Sequence, residues 1–74
     1  MTIGPVKHSL TLRGHRTSVT LEPEFWQAFR AIASENDISV NGLAAKIDAD
    51  RPADTGLASA IRVFVLQHYM TDRR

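Results

Sequence analysis

The chain of 74 residues has no cysteine. No disulfide can staple it, and a cysteine-based metal site is excluded. The three histidines, His8, His15 and His68, lack metal-motif spacing, so neither metal nor cofactor is expected. No apolar run approaches the roughly 20 residues of a membrane span, so no membrane partner is expected. No apolar segment of signal-peptide type follows Lys7, and a cytoplasmic protein is the simplest placement. Nucleophile–base pairs and phosphate-cradling glycine loops are missing too, which argues against an enzyme. There is no internal repeat and no low-complexity segment.

What is present fits one small domain. So short a chain buries a limited core, and with disulfides and metals excluded, oligomerisation is the remaining common staple. Net charge is only +1, but it is unevenly spread. Residues 1–21 carry Lys7, Arg13 and Arg16 and no acid, for +3. Residues 22–50 carry six acids against Arg30 and Lys46, for −4, and residues 51–74 return to +2. An asymmetry of this kind directs one face of a molecule toward phosphate.

Residues 1–8 hold Gly4, Pro5 and polar neighbours and read as a flexible N-terminal arm, with the folded domain at 9–72. Ser9 to Arg13 alternates and is a candidate short strand, which Gly14 breaks. Arg16 to Leu21 reads as the main strand, rich in β-branched residues. Thr17, Val19 and Leu21 share its apolar face; Arg16, Ser18 and Thr20 share the other. One short strand running straight into a helix needs a partner for its edge, and a second copy of the chain is the expected partner. The basic and hydroxylic outward residues suit a surface that touches DNA, although an ordinary solvated strand face has the same composition.

Three helices follow. Pro23 suits a first helical position, and Glu22 and Glu24 favour the positive end of the macrodipole. Phe25, Ala28, Phe29, Ile32 and Ala33 keep helical spacing, and Asn36-Asp37 offers a left-handed exit. Ser39 is the expected N-cap of a second helix with Val40, Leu43, Ala44 and Ile47 on its apolar stripe. That helix frays near Asp50, ahead of Pro52. A third runs from about Leu57 to Met70, with Leu57, Ile61, Phe64, Val65 and His68 inward and Tyr69 on the flank. Trp26, beside the main stripe of the first helix, reads as a packing residue against the arm or a partner chain.

The order strand, proline-started helix, short turn, Ser-capped helix resembles the ribbon-helix-helix family, the Arc and MetJ type of DNA-binding protein. The residues that carry the resemblance are Thr-Ser-Val-Thr-Leu at 17–21, Glu-Pro-Glu-Phe at 22–25 and Ser-Val-Asn at 39–41. The longer phrases at 13–26 and 57–66 look like a bacterial subgroup of small ribbon-helix-helix proteins. The resemblance implies a mostly α fold with one short strand, as an intertwined homodimer with an intermolecular two-stranded antiparallel ribbon. An additional C-terminal helix would follow. It implies double-stranded DNA as partner, two dimers on adjacent half-sites, and a ribbon in the major groove. Arg16, Ser18 and Thr20 would then contact bases. Ser39, Val40 and Asn41 would clamp a phosphate at a helix N-terminus. Lys7, Arg13 and His15 would contact the DNA backbone, and Thr17, Val19, Leu21, Phe25, Phe29 and Ile32 would form the dimer core.

A minimal family member ends after the second helix, so the third leaves a second placement of the clamp open, at Leu57-Ala58-Ser59. Ser39 is favoured for its distance from the first helix and its better capping chemistry. Three functions compete. The first is a transcriptional repressor acting by occlusion of promoter DNA. The second is an antitoxin-type DNA-binding module that also neutralises a protein partner. The third is a dimerisation-only module. The short segment after Met70 counts against the second, and the acid-free N-terminal residues count against the third.

Overall fold

Two alternating runs of seven residues flank the dipeptide Arg13-Gly14 and fold back on each other. The computed structural model describes residues 4–71, in the order β1 (Val6–Leu12), β2 (His15–Leu21), α1 (Pro23–Glu35), α2 (Val40–Asp50) and α3 (Leu57–Thr71). β1 and β2 form an antiparallel hairpin in which Leu12 faces His15 and Val6 faces Leu21. Arg13 has φ 52° and Gly14 φ 85°. Positive φ at both central residues is the signature of the type I′ turn, whose twist matches that of the strands it joins.

The ribbon is therefore made within one chain. This corrects the expectation of one short strand: the chain has two, and β2 pairs with β1. The expected arm over residues 1–8 is corrected as well, since strand β1 begins at Val6. Residues 1–3 and the expected domain end at Asp72 lie outside the described residues. His8 explains how a polar segment joins a sheet. Its ring stacks on Trp26 of α1, with centroids 3.9 Å apart and planes within 7°. The imidazole thereby covers apolar surface from an inward position of β1.

Helices cover one face of the hairpin. Leu10, Leu12, Val19 and Leu21 from the strands meet Phe29, Ile32 and Ala33 of α1, Leu43, Ala44 and Ile47 of α2, and Ile61 and Val65 of α3. Phe29, Leu21, Ile32 and Ile61 are the largest fully buried side chains. Burial of each contributes about 1.5–3 kcal/mol. Phe64 closes the far side with an edge-on contact to Phe29, 6.4 Å between centroids. Val19, Leu21, Phe29 and Ile32, expected at a dimer core, are thus buried inside one protomer, and Phe25 is half-buried. Thr17 is exposed. It lies near the turn, on an open cleft between the hairpin and the start of α3, where no helix covers it.

Local chemistry sets the helix boundaries. Pro23 opens α1. At its exit Ile38 N–H donates to the Ala33 carbonyl (3.0 Å) and Asp37 N–H to that of Ser34 (3.2 Å). This is a Schellman motif. Asp37 takes the left-handed residue at φ 53°. Ser39 caps α2, its Oγ accepting from Gly42 N–H at 2.9 Å. A Cβ at Gly42 would stand 3.0 Å from that Oγ and 3.1 Å from Ile38 Cγ1, so glycine is what lets the cap close tightly. After α2, Arg51 binds Asp48 Oδ1 (2.7 Å) and the Thr55 carbonyl (2.6 Å), folding the Pro52–Gly56 link.

Candidate nucleic-acid interface

Antiparallel partners project to the same side, so the register sorts the hairpin residues by face. One side carries the buried leucines and Val19. The other carries Lys7, Ser9 and Thr11 on β1 opposite Thr20, Ser18 and Arg16 on β2, all six exposed. Hydrogen-bonded and non-hydrogen-bonded pairs alternate from the turn, which makes these the closer, non-hydrogen-bonded pairs. Their Cβ atoms stand about 4.5–5.5 Å apart, one continuous strip of two cations and four hydroxyls. Seven extended residues per strand give a ribbon about 23 Å long.

The expected base-contacting residues Arg16, Ser18 and Thr20 are therefore side by side and accessible. Lys7 stands in the same strip, across from Thr20, rather than on a separate arm. Ser9 and Thr11 belong to it too and were not picked out from the sequence. The alternation of residues 6–12 was their signal, obscured by His8 at an inward position. Arg13 is exposed at the tip. His15 is exposed but projects to the opposite side, over the cleft lined by Leu12, Arg16, Asp48 and Arg51.

The free edges of both strands are held by side chains from the helices. Thr11 N–H donates to Asn41 Oδ1 at 3.0 Å, which docks the N-terminus of α2 onto the β1 edge. Ser39, Val40 and Asn41 consequently flank the ribbon. The Val40 and Asn41 N–H groups belong to the first turn and have no intrahelical acceptor. Leu57, the alternative clamp position, lines the cleft beside the turn together with Asp48. Arg13, Arg16 and Arg51 line the same cleft. On the β2 side Arg62 donates to Glu22 Oε1 (2.9 Å) and to the Thr20 carbonyl (3.4 Å). It also lies over the Phe25 ring, 5.8 Å from the centroid. Arg62 is thus a fastener between α3 and the ribbon foot.

These contacts shape the field of the ribbon. No acid occurs between Val6 and Leu21. Arginines engage Glu22 and Asp48 near the hairpin: Arg62 binds Glu22, and Arg51 binds Asp48. The Arg62 hydrogen bond holds the Glu22 carboxyl below the usual carboxylate range. Paired carboxylates repel an incoming polyanion less than lone ones would. Among the described residues no helix is long and apolar enough to cross a membrane.

Comparison with known proteins agrees with this architecture. Neither the curated proteins nor the solved structures contain a match to the chain. The family model described as a ribbon-helix-helix domain matches residues 5–69, from the start of the hairpin to the last turn of α3. With most of its length covered, ribbon and all three helices included, the chain belongs to the ribbon-helix-helix family.

Proposed function

We propose that the protein is a sequence-specific DNA-binding regulator that lays its hairpin in the major groove. The observation that carries this reading is the exposed, acid-free strip Lys7-Ser9-Thr11/Arg16-Ser18-Thr20 with a helix N-terminus docked on its edge. B-DNA's major groove, about 12 Å wide, admits a two-stranded ribbon. Arg16 reads guanine through two parallel hydrogen bonds, worth about 1–3 kcal/mol of discrimination, while Ser18 and Thr20 pair with several bases. Lys7 and Arg13 contact phosphates, whereas His15, on the other side of the hairpin, stands apart from this strip. Val40 and Asn41 N–H groups, behind the Ser39 cap, clamp another. The protein acts as a homodimer of the small bacterial type, at the nucleoid in the cytoplasm. Pairs of dimers occupy adjacent half-sites, and repression follows from occlusion of the promoter.

The test starts from DNA fragments selected by the protein from a genomic library. Arg16→Ala weakens binding to the preferred fragment and narrows its advantage over unrelated sequence. Lys7→Ala weakens binding to all fragments alike. An Arg16→Ala protein with unchanged affinity for the preferred fragment would falsify the base-reading role. Absence of any salt-sensitive binding by the native chain would leave a dimerisation-only module, because phosphate contacts impose a steep salt dependence. The antitoxin-type reading draws support from one observation, the apolar outer face of α3.

A further inference from the structure

The turn end of β2 breaks the inward pattern twice. His15 and Thr17 project to the same side as the buried Val19 and Leu21, yet both are exposed. They line a cleft of about 430 Å³ between the turn, α2 and the start of α3. Its charged lining is Arg13, Arg16 and Arg51 against Asp48, a balance of +2. Arg51 is anchored from two sides: Nε donates to Asp48 Oδ1 at 2.7 Å and Nη1 to the Thr55 carbonyl at 2.6 Å. The guanidinium is held in place, while its Nη2 N–H groups make no hydrogen bond among the described residues. Leu57 brings the start of α3 to the same cleft. Ala60 N–H is bonded to the Gly56 carbonyl at 3.0 Å, which puts Gly56 at the cap of α3. A glycine there has no side chain to engage the amides of residues 57–59, which lack intrahelical acceptors.

We propose that this cleft binds a small phosphate monoester. Such a group carries about −1.5 to −2 near neutral pH, which matches the charge of the lining. Its oxygens suit the planar fork of Arg51, and the two bonds already made by that side chain reduce the freedom lost on binding. The Thr17 hydroxyl and the His15 ring add hydrogen-bonding groups at positions that no helix covers. A bare phosphate ion fills only part of the cleft, whose volume lies in the range of ligand pockets. Leu12, Ala45 and Leu57 leave the remainder to an apolar or flat ester group. DNA is not the source of this phosphate. With the strip of Lys7, Ser9, Ser18 and Thr20 in a groove, the cleft lies behind the ribbon, between it and the helices. Arg13 and Arg16 border both sides, so a bound monoester lowers the positive potential of the strip and weakens DNA binding. By linkage, DNA weakens the monoester by the same factor. This coupling rests on the reading of the strip as a DNA contact; the site itself does not.

The experiment titrates phenyl phosphate, inorganic phosphate and benzoate into the whole chain at a fixed ionic strength of about 0.15 M. Calorimetry gives the affinities, and amide chemical shifts locate the binding. Phenyl phosphate should saturate at one per protomer, at least ~10-fold tighter than benzoate and tighter than inorganic phosphate. It should shift the amides of His15, Thr17, Arg51 and residues 57–59. Thr17→Glu alters an exposed position, so circular dichroism stays native-like while phenyl phosphate weakens at least ~10-fold. Lys7→Ala, on the strip, leaves its affinity unchanged. Equal affinity for benzoate, shifts centred on Lys7 and Ser18, or no saturation by about 10 mM overturns the site. Fluorescence anisotropy on the selected DNA fragment separates the two sources of phosphate. With a site of its own, the monoester raises the DNA dissociation constant ~5-fold or more, and the rise levels off once the cleft is full. A rise without a plateau means competition for one site and overturns the free ligand in favour of DNA's own phosphate. An unchanged constant removes the coupling and keeps the site. If the native chain binds no DNA, the reading of the strip fails and calorimetry still decides the cleft.

Discussion

Arg13→Asn should move stability and DNA binding in opposite directions. Arg13 sits at φ 52° at the tip of the hairpin, in the left-handed region. For a residue with a Cβ this region costs about 1–2 kcal/mol, and asparagine tolerates it better than most. A type I′ turn with Asn-Gly is the preferred two-residue connection, so Arg-Gly holds a charge at the tip against the local backbone preference. Among the described residues no hydrogen bond or ion pair engages the exposed Arg13 side chain, so the substitution breaks none there. The expected gain is up to ~1 kcal/mol, a rise of about 4–8 °C in melting temperature for a domain of this size. Removing one phosphate contact should also flatten the plot of log affinity against log salt by ~0.9 per protomer. Urea unfolding and fluorescence anisotropy on labelled duplex, at several salt concentrations, read both effects. A stabilised variant with unchanged affinity and salt slope would remove Arg13 from the DNA contact. A destabilised variant would refute the account of the turn.

Leu21 is fully buried within one protomer, so Leu21→Ala should cost ~2–5 kcal/mol. Total stability at this length is of order 0.05–0.15 kcal/mol per residue, so the loss is a large share of it. The drop should be present in protein too dilute to dimerise; a loss confined to concentrated protein would instead place Leu21 at a contact between copies. Because Arg62 depresses the Glu22 carboxyl, the ion pair stabilises the fold above the ordinary value of 4.5 and is lost as pH falls through the lowered one. Glu22→Gln should therefore flatten the acid limb of stability below about pH 4.5. Superimposable native and variant urea midpoints on that limb would contradict a stabilising role for the pair.

The helix boundaries were legible because each is set by neighbouring residues. Pro23 opens α1, Asp37 turns the chain out of it, Ser39 caps α2, and Arg51-Pro52 ends it. These are local effects of φ restriction and of hydrogen bonds between residues close in sequence. The outward set Arg16, Ser18 and Thr20 was legible for the same reason, since period-two alternation sorts a strand into two faces. The other half of the strip was not. Lys7, Ser9 and Thr11 share a strand with His8, whose inward place makes sense only beside Trp26, eighteen residues further along. The alternation at Val6–Leu12 was thus broken on paper by a histidine that the fold uses as a flat apolar-facing ring. Thr17 shows the converse: its position in the pattern is inward, yet no helix reaches over it.

By itself the sequence determined which segments are helical and where each helix begins, and that the basic charge lies in an acid-free first third. These properties depend on neighbours along the chain and on composition. Only the tertiary structure decided that the strand's partner is in the same chain, and that Glu22 and Asp48 are occupied by arginines. It also decided that α2 starts at the ribbon's edge and that α3 keeps an uncovered apolar seam. Pairing depends on which of several competent edges comes within hydrogen-bonding reach. Exposure depends on which faces the other elements have already covered. Both are settled only when the whole chain packs.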